Sequence, residues 1–346
     1  MLSLRAPFKI TTLPTRRLYS LQHAFRPVPT ITGPLDSLPI EEFRSRAFVP
    51  EKPLLITAGD SNVKGVKGSQ CTIPAAEKWF KRRPAGSDPA NEEEDGFAVL
   101  SQEYLAPFGS TILPHELITP KHADPGAANN TSELDNLPKH YTQHSSPGST
   151  FHHFSAPLSL FLLASKSLTL SQAPPQLYIA QAQLLSLPPT LQTDLPTPSL
   201  ITHAGKGDIY DSNLWLGIPP TYTPLHKDPN PNLFIQLAGR KRVRMFKPRV
   251  GQGVFWGVQE KIGRGGGGGR GQMRGSEMME GPEREVLFEA VWGEDVGMVG
   301  REERRRDAGF ETVVRPGDAL FIPKGWWHSF RSVGEGITGS VNWWFR

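Results

Sequence analysis

Two short segments constrain this chain more than anything else in it: TPLHKDPNPN at 223–232 and GDALFIPKGWWH at 317–328. His226 and Asp228 are two residues apart, so a strand through LHKD sends both side chains to one face, where a nitrogen and an oxygen donor converge. A third donor has to come from a neighbouring strand. The second segment supplies it: a Pro-Gly-Asp turn, a short apolar strand at Ala319–Ile322, a break at Pro323, and His328 close behind. Two imidazoles and one carboxylate on one side of a metal leave positions open for further ligands, which is the geometry of non-haem Fe(II) oxygenases. Zinc fits the same ligands but has no redox chemistry.

With 10 His and 34 acidic residues in 346, about one His-x-Asp/Glu match is expected by chance, so the motif has to be weighed by its surroundings. His122 and Asp124 provide a comparison inside the same chain. They have the same spacing but lie in ITPKHADPGAANN, whose Pro, Gly and Asn read as a loop with no third donor. The copy at 226 is preceded by LWLGIPP and followed by LFIQLAGRKRVRMF, both dense in apolar and β-prone residues. We therefore place the metal site at His226, Asp228 and His328.

In these residues the chain resembles the Jumonji-C, cupin-like oxygenases, in particular the small asparaginyl-hydroxylase-like members. LWLGIPPTYTPLHKDPNPNLFIQLAGRKRVRMFKP looks like the iron strand, turn and cosubstrate strand of that family, and FIPKGWWHSF with GSVNWWF looks like its C-terminal strands. Weaker likeness reaches YIAQAQL at 178–184 and LPIEEFRSRAFVPEKPLLI at 38–56, so it covers about residues 37 to 346, with 250–310 departing from the pattern. The resemblance implies a double-stranded β-helix, the cupin or jelly-roll barrel, in a mainly β chain with helices.

It also implies Fe(II), 2-oxoglutarate as cosubstrate, and hydroxylation of a protein or other substrate with release of succinate and carbon dioxide. Lys241, in GRKR, matches the lysine that pairs with the distal carboxylate of 2-oxoglutarate. Strict alternation supports an inward Lys241: it shares a face with Val243 and Met245, while Arg240, Arg242 and Arg244 share the other. Thr223, Asn232, Tyr178 and Asn342 match family positions that bond or border the cosubstrate, although each could serve as an ordinary strand-end or core polar residue. Trp326, Trp327, Trp343 and Trp344 read as core and pocket wall. Two rival readings are a Jumonji-C lysine demethylase, which uses the same chemistry on an N-methyl group, and a non-catalytic metal-binding cupin module. Formaldehyde release separates the first, and 2-oxoglutarate turnover the second.

Composition narrows the alternatives. A single cysteine, Cys71, excludes an intrachain disulfide and any cysteine-based zinc finger. The formal charge of +4 comes without a long basic run interleaved with aromatics, so nothing calls for nucleic acid, and no apolar run approaches a membrane span. A protein or peptide substrate is the expected partner, and the sequence leaves the oligomeric state open. Residues 1–35 carry Arg5, Lys9, Arg16, Arg17 and Arg26 with no acidic residue before Asp36, a transit-peptide composition, and RRLYS resembles a matrix-processing site with a cut before Ser20. Mitochondrial targeting is the expectation. A disordered basic tail in a cytoplasmic or nuclear protein is the alternative, since Pro7 and Pro14 interrupt a helix.

The expected organisation is a tail over 1–36 outside the fold, a mixed α/β region over 37–170, and the barrel core over 171–346 with a disordered Gly/Arg-rich insert around 257–280. Within it, EEFR at 41–44 and AAEKWFKRR at 75–83 look helical, and PLLIT at 53–57 and FAVL at 97–100 look like strands. The stretch 121–150 reads as a polar loop, SAPLSLFLLASKSL at 155–168 is apolar and of helix length, and short strands follow from Asp208. GRGGGGGRGQMRG at 263–275 is a low-complexity linker, not a phosphate cradle, because no Lys-Ser/Thr follows it.

Overall fold

The computed structural model describes residues 25–57, 73–82, 97–119, 150–167, 176–264, 276–293 and 309–346. His122, Asp124, Cys71, the charged run 301–306, the loop 121–149 and the glycine run 265–275 lie outside them. Strands in chain order are β1 (Phe25–Pro27), β2 (Thr30–Thr32), β3 (Leu54–Thr57), β4 (Phe80–Arg82), β5 (Ala98–Leu100), β6 (Ile112–Ile118), β7 (Phe151–Pro157) and β8 (Gln176–Gln183). They continue with β9 (Ile209–Gly217), β10 (Tyr222–Lys227), β11 (Asn232–Ala238), β12 (Arg240–Phe246), β13 (Gly309–Val314), β14 (Ala319–Ile322), β15 (Trp327–Val333) and β16 (Thr338–Phe345).

These strands form a five-stranded sheet, ordered β1-β13-β12-β15-β10, and a nine-stranded sheet, ordered β2-β3-β14-β11-β16-β9-β8-β6-β7, with β4 and β5 apart as a pair. Sequential neighbours β10 and β11 fall in different sheets, as do β13 and β14. That interleaving is what the cupin barrel requires, and the mainly β architecture expected from the sequence is the one found.

Each sheet is covered on both sides. Phe234, Leu320 and Ile322 of the large sheet meet Val243, Met245 and Phe330 of the small one in an inter-sheet core. The outer face of the large sheet packs Leu233, Ile235 and Leu237 against the N-terminal helices. Consequently β11 is buried at every residue, whereas β12 alternates, with Lys241, Val243 and Met245 inside and the three arginines partly exposed. On the small sheet's outer face, Leu225, Phe246 and Trp327 pack under helices Pro248–Lys261 and Gly281–Trp292 through Phe255, Val258, Leu287 and Val291.

Those two helices correct the sequence expectation for the insert. Residues 257–261 belong to the first, and Ser276–Met279 leads into the second. Phe255 with Val258 and Leu287 with Val291 have helical spacing, a signal obscured by the glycine run between them. A second correction concerns 25–36, expected to stand outside the fold. β1 pairs parallel with β13 and β2 parallel with β3, and Val28 and Leu35 are buried. These partners lie far away in sequence for β13, so local composition could not reveal the pairing.

The third correction is at AAEKWFKRR. Only Pro74–Lys78 is helical, and Phe80–Arg82 turns into β4, pairing with β5. Tertiary contacts override propensity here. The buried Asp194 accepts hydrogen bonds from Lys78 (2.6 Å), the Trp79 indole (2.9 Å) and the Tyr104 hydroxyl (2.5 Å), which ends the helix where Phe80 enters the core. The segment 155–168 divides similarly: β7 runs to Pro157 and the helix is Leu158–Ser167. No helix among the described residues is long and apolar enough to cross a membrane.

One close approach in this layer is testable. A Cβ on Gly251, in the first turn of helix Pro248–Lys261, would lie 2.3 Å from the ring of fully buried Trp327. Gly251→Ala is therefore expected to lift the helix off the sheet and destabilise the chain by about 1–3 kcal/mol, the usual cost of overpacking. Denaturant melts check this, and an unchanged midpoint would mean that the helix does not bear on Trp327.

Candidate metal centre

Antiparallel pairing of β10 with β15 sets His226 directly opposite His328, and the two rings lie 4.2 Å apart, centroid to centroid. Asp228 follows one residue past the end of β10. His226 Nε2 lies 3.9 Å from Asp228 Oδ1, and His328 Nε2 lies 3.5 Å from Asp228 Oδ2. All three side chains are buried. Among the described residues this is the one cluster of at least three His, Cys, Asp or Glu able to converge on an ion.

Both imidazoles are held from behind. His226 Nδ1 lies 2.8 Å from the Pro224 carbonyl and His328 Nδ1 lies 3.1 Å from the Trp326 carbonyl, in each case the carbonyl two residues upstream. A carbonyl only accepts, so each Nδ1 carries a proton, and Nε2 is the atom each ring can offer to a metal at the cluster. Burial, and then the neighbouring His226, push the His328 pKa down to about 4, so that ring is neutral as a metal ligand must be. Donor atoms bound at about 2.1 Å to one ion sit roughly 3–3.5 Å from each other. The observed separations need only a small adjustment, and two nitrogens with one carboxylate suit iron.

The triad opens onto a cavity between the two sheets. Every site residue named from the sequence lines it: Thr223, His226, Asp228, Asn232, Lys241, His328, Tyr178 and Asn342. On the same cavity wall Lys241 is only 3% exposed. Its ammonium donates to the Tyr178 hydroxyl at 3.2 Å and the Ser340 hydroxyl at 3.0 Å, and faces the Phe234 ring at 5.5 Å. Among the described residues no carboxylate reaches ion-pair distance, and burial pushes the Lys241 pKa down to about 7. A buried cation contacted by hydroxyls and aromatic faces is costly unless an anion joins it.

Trp344, read from the sequence as core or pocket wall, lines the cavity too, and sequence reasoning missed Trp215, Gln181, Phe234 and Phe330, which also line it. Trp215 was legible in principle: in LWLG it alternates with Leu214 and Leu216, which face the outer core. Gln181 was not, because it projects from an irregularity where β8 slips against β9 and its φ is +51°.

Two interleaved, mainly antiparallel sheets around a buried His-Asp-His cluster define a cupin-type barrel whose cluster could hold a metal ion. The chain belongs to the cupin-like domain family, whose model matches residues 72–346, and it is similar to several Jumonji C domain proteins. It is 29% identical over 170 residues to "Lysine-specific demethylase 8" of Danio rerio, covering 49% of this chain and 36% of that protein. It is 26% identical over 171 residues to "Jumonji C domain-containing protein 5" of Drosophila melanogaster, covering 49% and 36%. It is 24% identical over 170 residues to "Lysine-specific demethylase JMJ30" of Arabidopsis thaliana, covering 48% and 33%. The chain thus spans about a third of the length of the curated relatives it matches. Proteins of this class are generally 2-oxoglutarate-dependent oxygenases.

Proposed function

We propose that this chain is an Fe(II)- and 2-oxoglutarate-dependent dioxygenase that hydroxylates a protein side chain, with His226, Asp228 and His328 holding the metal. The observation that carries the proposal is that one cavity is lined both by the His-Asp-His cluster and by a buried lysine with no carboxylate at ion-pair distance among the described residues. A dicarboxylate offers one group to each. Iron bound there supplies, with 2-oxoglutarate and dioxygen, the oxidising power to replace C–H by C–OH while succinate and carbon dioxide are released.

The chain's own residues bind and orient. Lys241, with Tyr178 and Ser340, receives the distal carboxylate of the cosubstrate. Thr223, Asn232 and Asn342 border the end nearer the metal. Phe234, Phe330 and Trp344 exclude water from the reacting centre, which keeps the oxidant from being quenched.

Demethylation is the second reading, favoured by the names of two of the relatives described above. Both reactions begin by removing hydrogen, so the triad does not separate them. Incubation with methylated histone peptides under 18O2 does: the hydroxylase reading expects succinate without formaldehyde from such peptides, and a stable +16 Da product (+18 Da under 18O2) on the true substrate. Formaldehyde stoichiometric with succinate would replace it with the demethylase. For location, we propose mitochondrial targeting by the basic segment before Phe25. A fluorescent protein fused after Pro34 is expected in mitochondria, trimmed near Ser20, and diffuse cytoplasmic or nuclear fluorescence would remove that part alone.

A further inference from the structure

Behind the triad, three strands of the large sheet contribute to one chain of hydrogen bonds. Trp215 Nε1 in β9 donates to Asn342 Oδ1 in β16 (2.8 Å), Asn342 Nδ2 donates to Asn232 Oδ1 in β11 (3.2 Å), and Asn232 Nδ2 donates to Asp228 Oδ2 (2.9 Å). Asn213 lies opposite Asn342 and is fully buried, yet neither of its amide atoms has a partner among the described residues, so the chain does not branch there.

The direction of this chain is set by its ends. An indole N–H can only donate, and an ionised carboxylate can only accept. An amide between them could face either neighbour with oxygen or nitrogen. Trp215 requires the oxygen of Asn342, which sends the Asn342 nitrogen to Asn232. Asn232 must then present its own oxygen, and its nitrogen is left for Asp228. Both amides have one fully satisfied arrangement, and it ends by gripping one oxygen of the carboxylate.

We propose that Trp215 is a positioning residue for the metal-binding carboxylate, acting through Asn342 and Asn232 to fix the rotation of the Asp228 side chain. This rests on the reading of the triad as a metal site. It gives Asn232 and Asn342 a task besides bordering the cosubstrate, since one N–H of each amide is committed to the chain and the other is left over. With the donor at 215 removed, the carboxylate still takes the Asn232 nitrogen, but Asn342 Oδ1 loses its donor, Asn342 is held from one side only, and the grip on Asp228 Oδ2 is no longer braced from behind.

The test is Co(II) binding to the full chain, by calorimetry and visible absorption, without 2-oxoglutarate. Trp215→Phe is expected to keep the wild-type melting temperature, weaken Co(II) binding about three- to tenfold, at or below the usual range for groups that support metal ligands, and shift the Co(II) bands. Asn342→Ala is expected to do the same, and the double variant to bind no more weakly than Asn342→Ala, because both changes cut one chain. Should Trp215→Phe fail to fold, benzothienylalanine at 215, which keeps the ring shape with sulfur in place of N–H, gives the same measurement. Wild-type affinity and spectrum in the donor-less protein, or losses that multiply in the double variant, would overturn the proposal. His226→Ala separates the two levels: if it binds Co(II) like wild type, the metal-site reading itself fails.

Discussion

His226→Ala and Asp228→Ala are each expected to lose high-affinity Fe(II) binding and all 2-oxoglutarate turnover, while His122→Ala changes neither. The effect is large because each remaining pair offers only two donors in a site built to present three from one side. Asp228 is the more damaging loss: it lies between the two imidazoles, 3.9 and 3.5 Å from their Nε2 atoms, and supplies the negative charge that a divalent ion needs. Metal titration with turnover assays checks this. Damage from His122→Ala equal to that from His226→Ala would move the site.

The second large effect is expected at Lys241. Lys241→Ala should raise the 2-oxoglutarate requirement about ten- to hundredfold, the loss of a charge-assisted hydrogen bond of roughly 1.5–3 kcal/mol, with Fe(II) binding retained. A pH signature accompanies it. The Lys241 pKa lies at about 7 in the folded protein against an ordinary 10.5. Between those values the unfolded chain binds the extra proton, so stability without cosubstrate rises as pH climbs from about 7 toward 10.5. Below pH 7 the ammonium is charged in both states and the full cost of burying it is felt. Lys241→Met should remove that part of the slope and stabilise the empty fold, and affinity for 2-oxoglutarate should fall above about pH 7 in the wild type only. Equal cosubstrate affinity in wild type and Lys241→Ala would reassign the anchor.

The site was more legible than the architecture around it, for a physical reason. His226 with Asp228, and Lys241 with Val243 and Met245, are placed by strand alternation, a rule of period two that can be read from adjacent residues. The strand Ala319–Ile322 was marked by the turn before it and the proline after it. By contrast, β1 and β2 exist only because β13 and β3 receive them, and Phe80 leaves its helix only because Asp194 and β5 hold that region in place. The link from Trp215 to Asp228 joins β9, β16 and β11 through side chains, and no local pattern announces it.

The most direct measurement of the central claim is oxygen transfer to the cosubstrate itself. Purified wild-type chain with Fe(II), 2-oxoglutarate and 18O2 is expected to form succinate carrying one 18O atom, and Asp228→Ala none above background. A wild-type chain that binds Fe(II) at His226, Asp228 and His328 but forms no labelled succinate with or without candidate substrates would contradict the account, leaving a metal-binding cupin without catalysis.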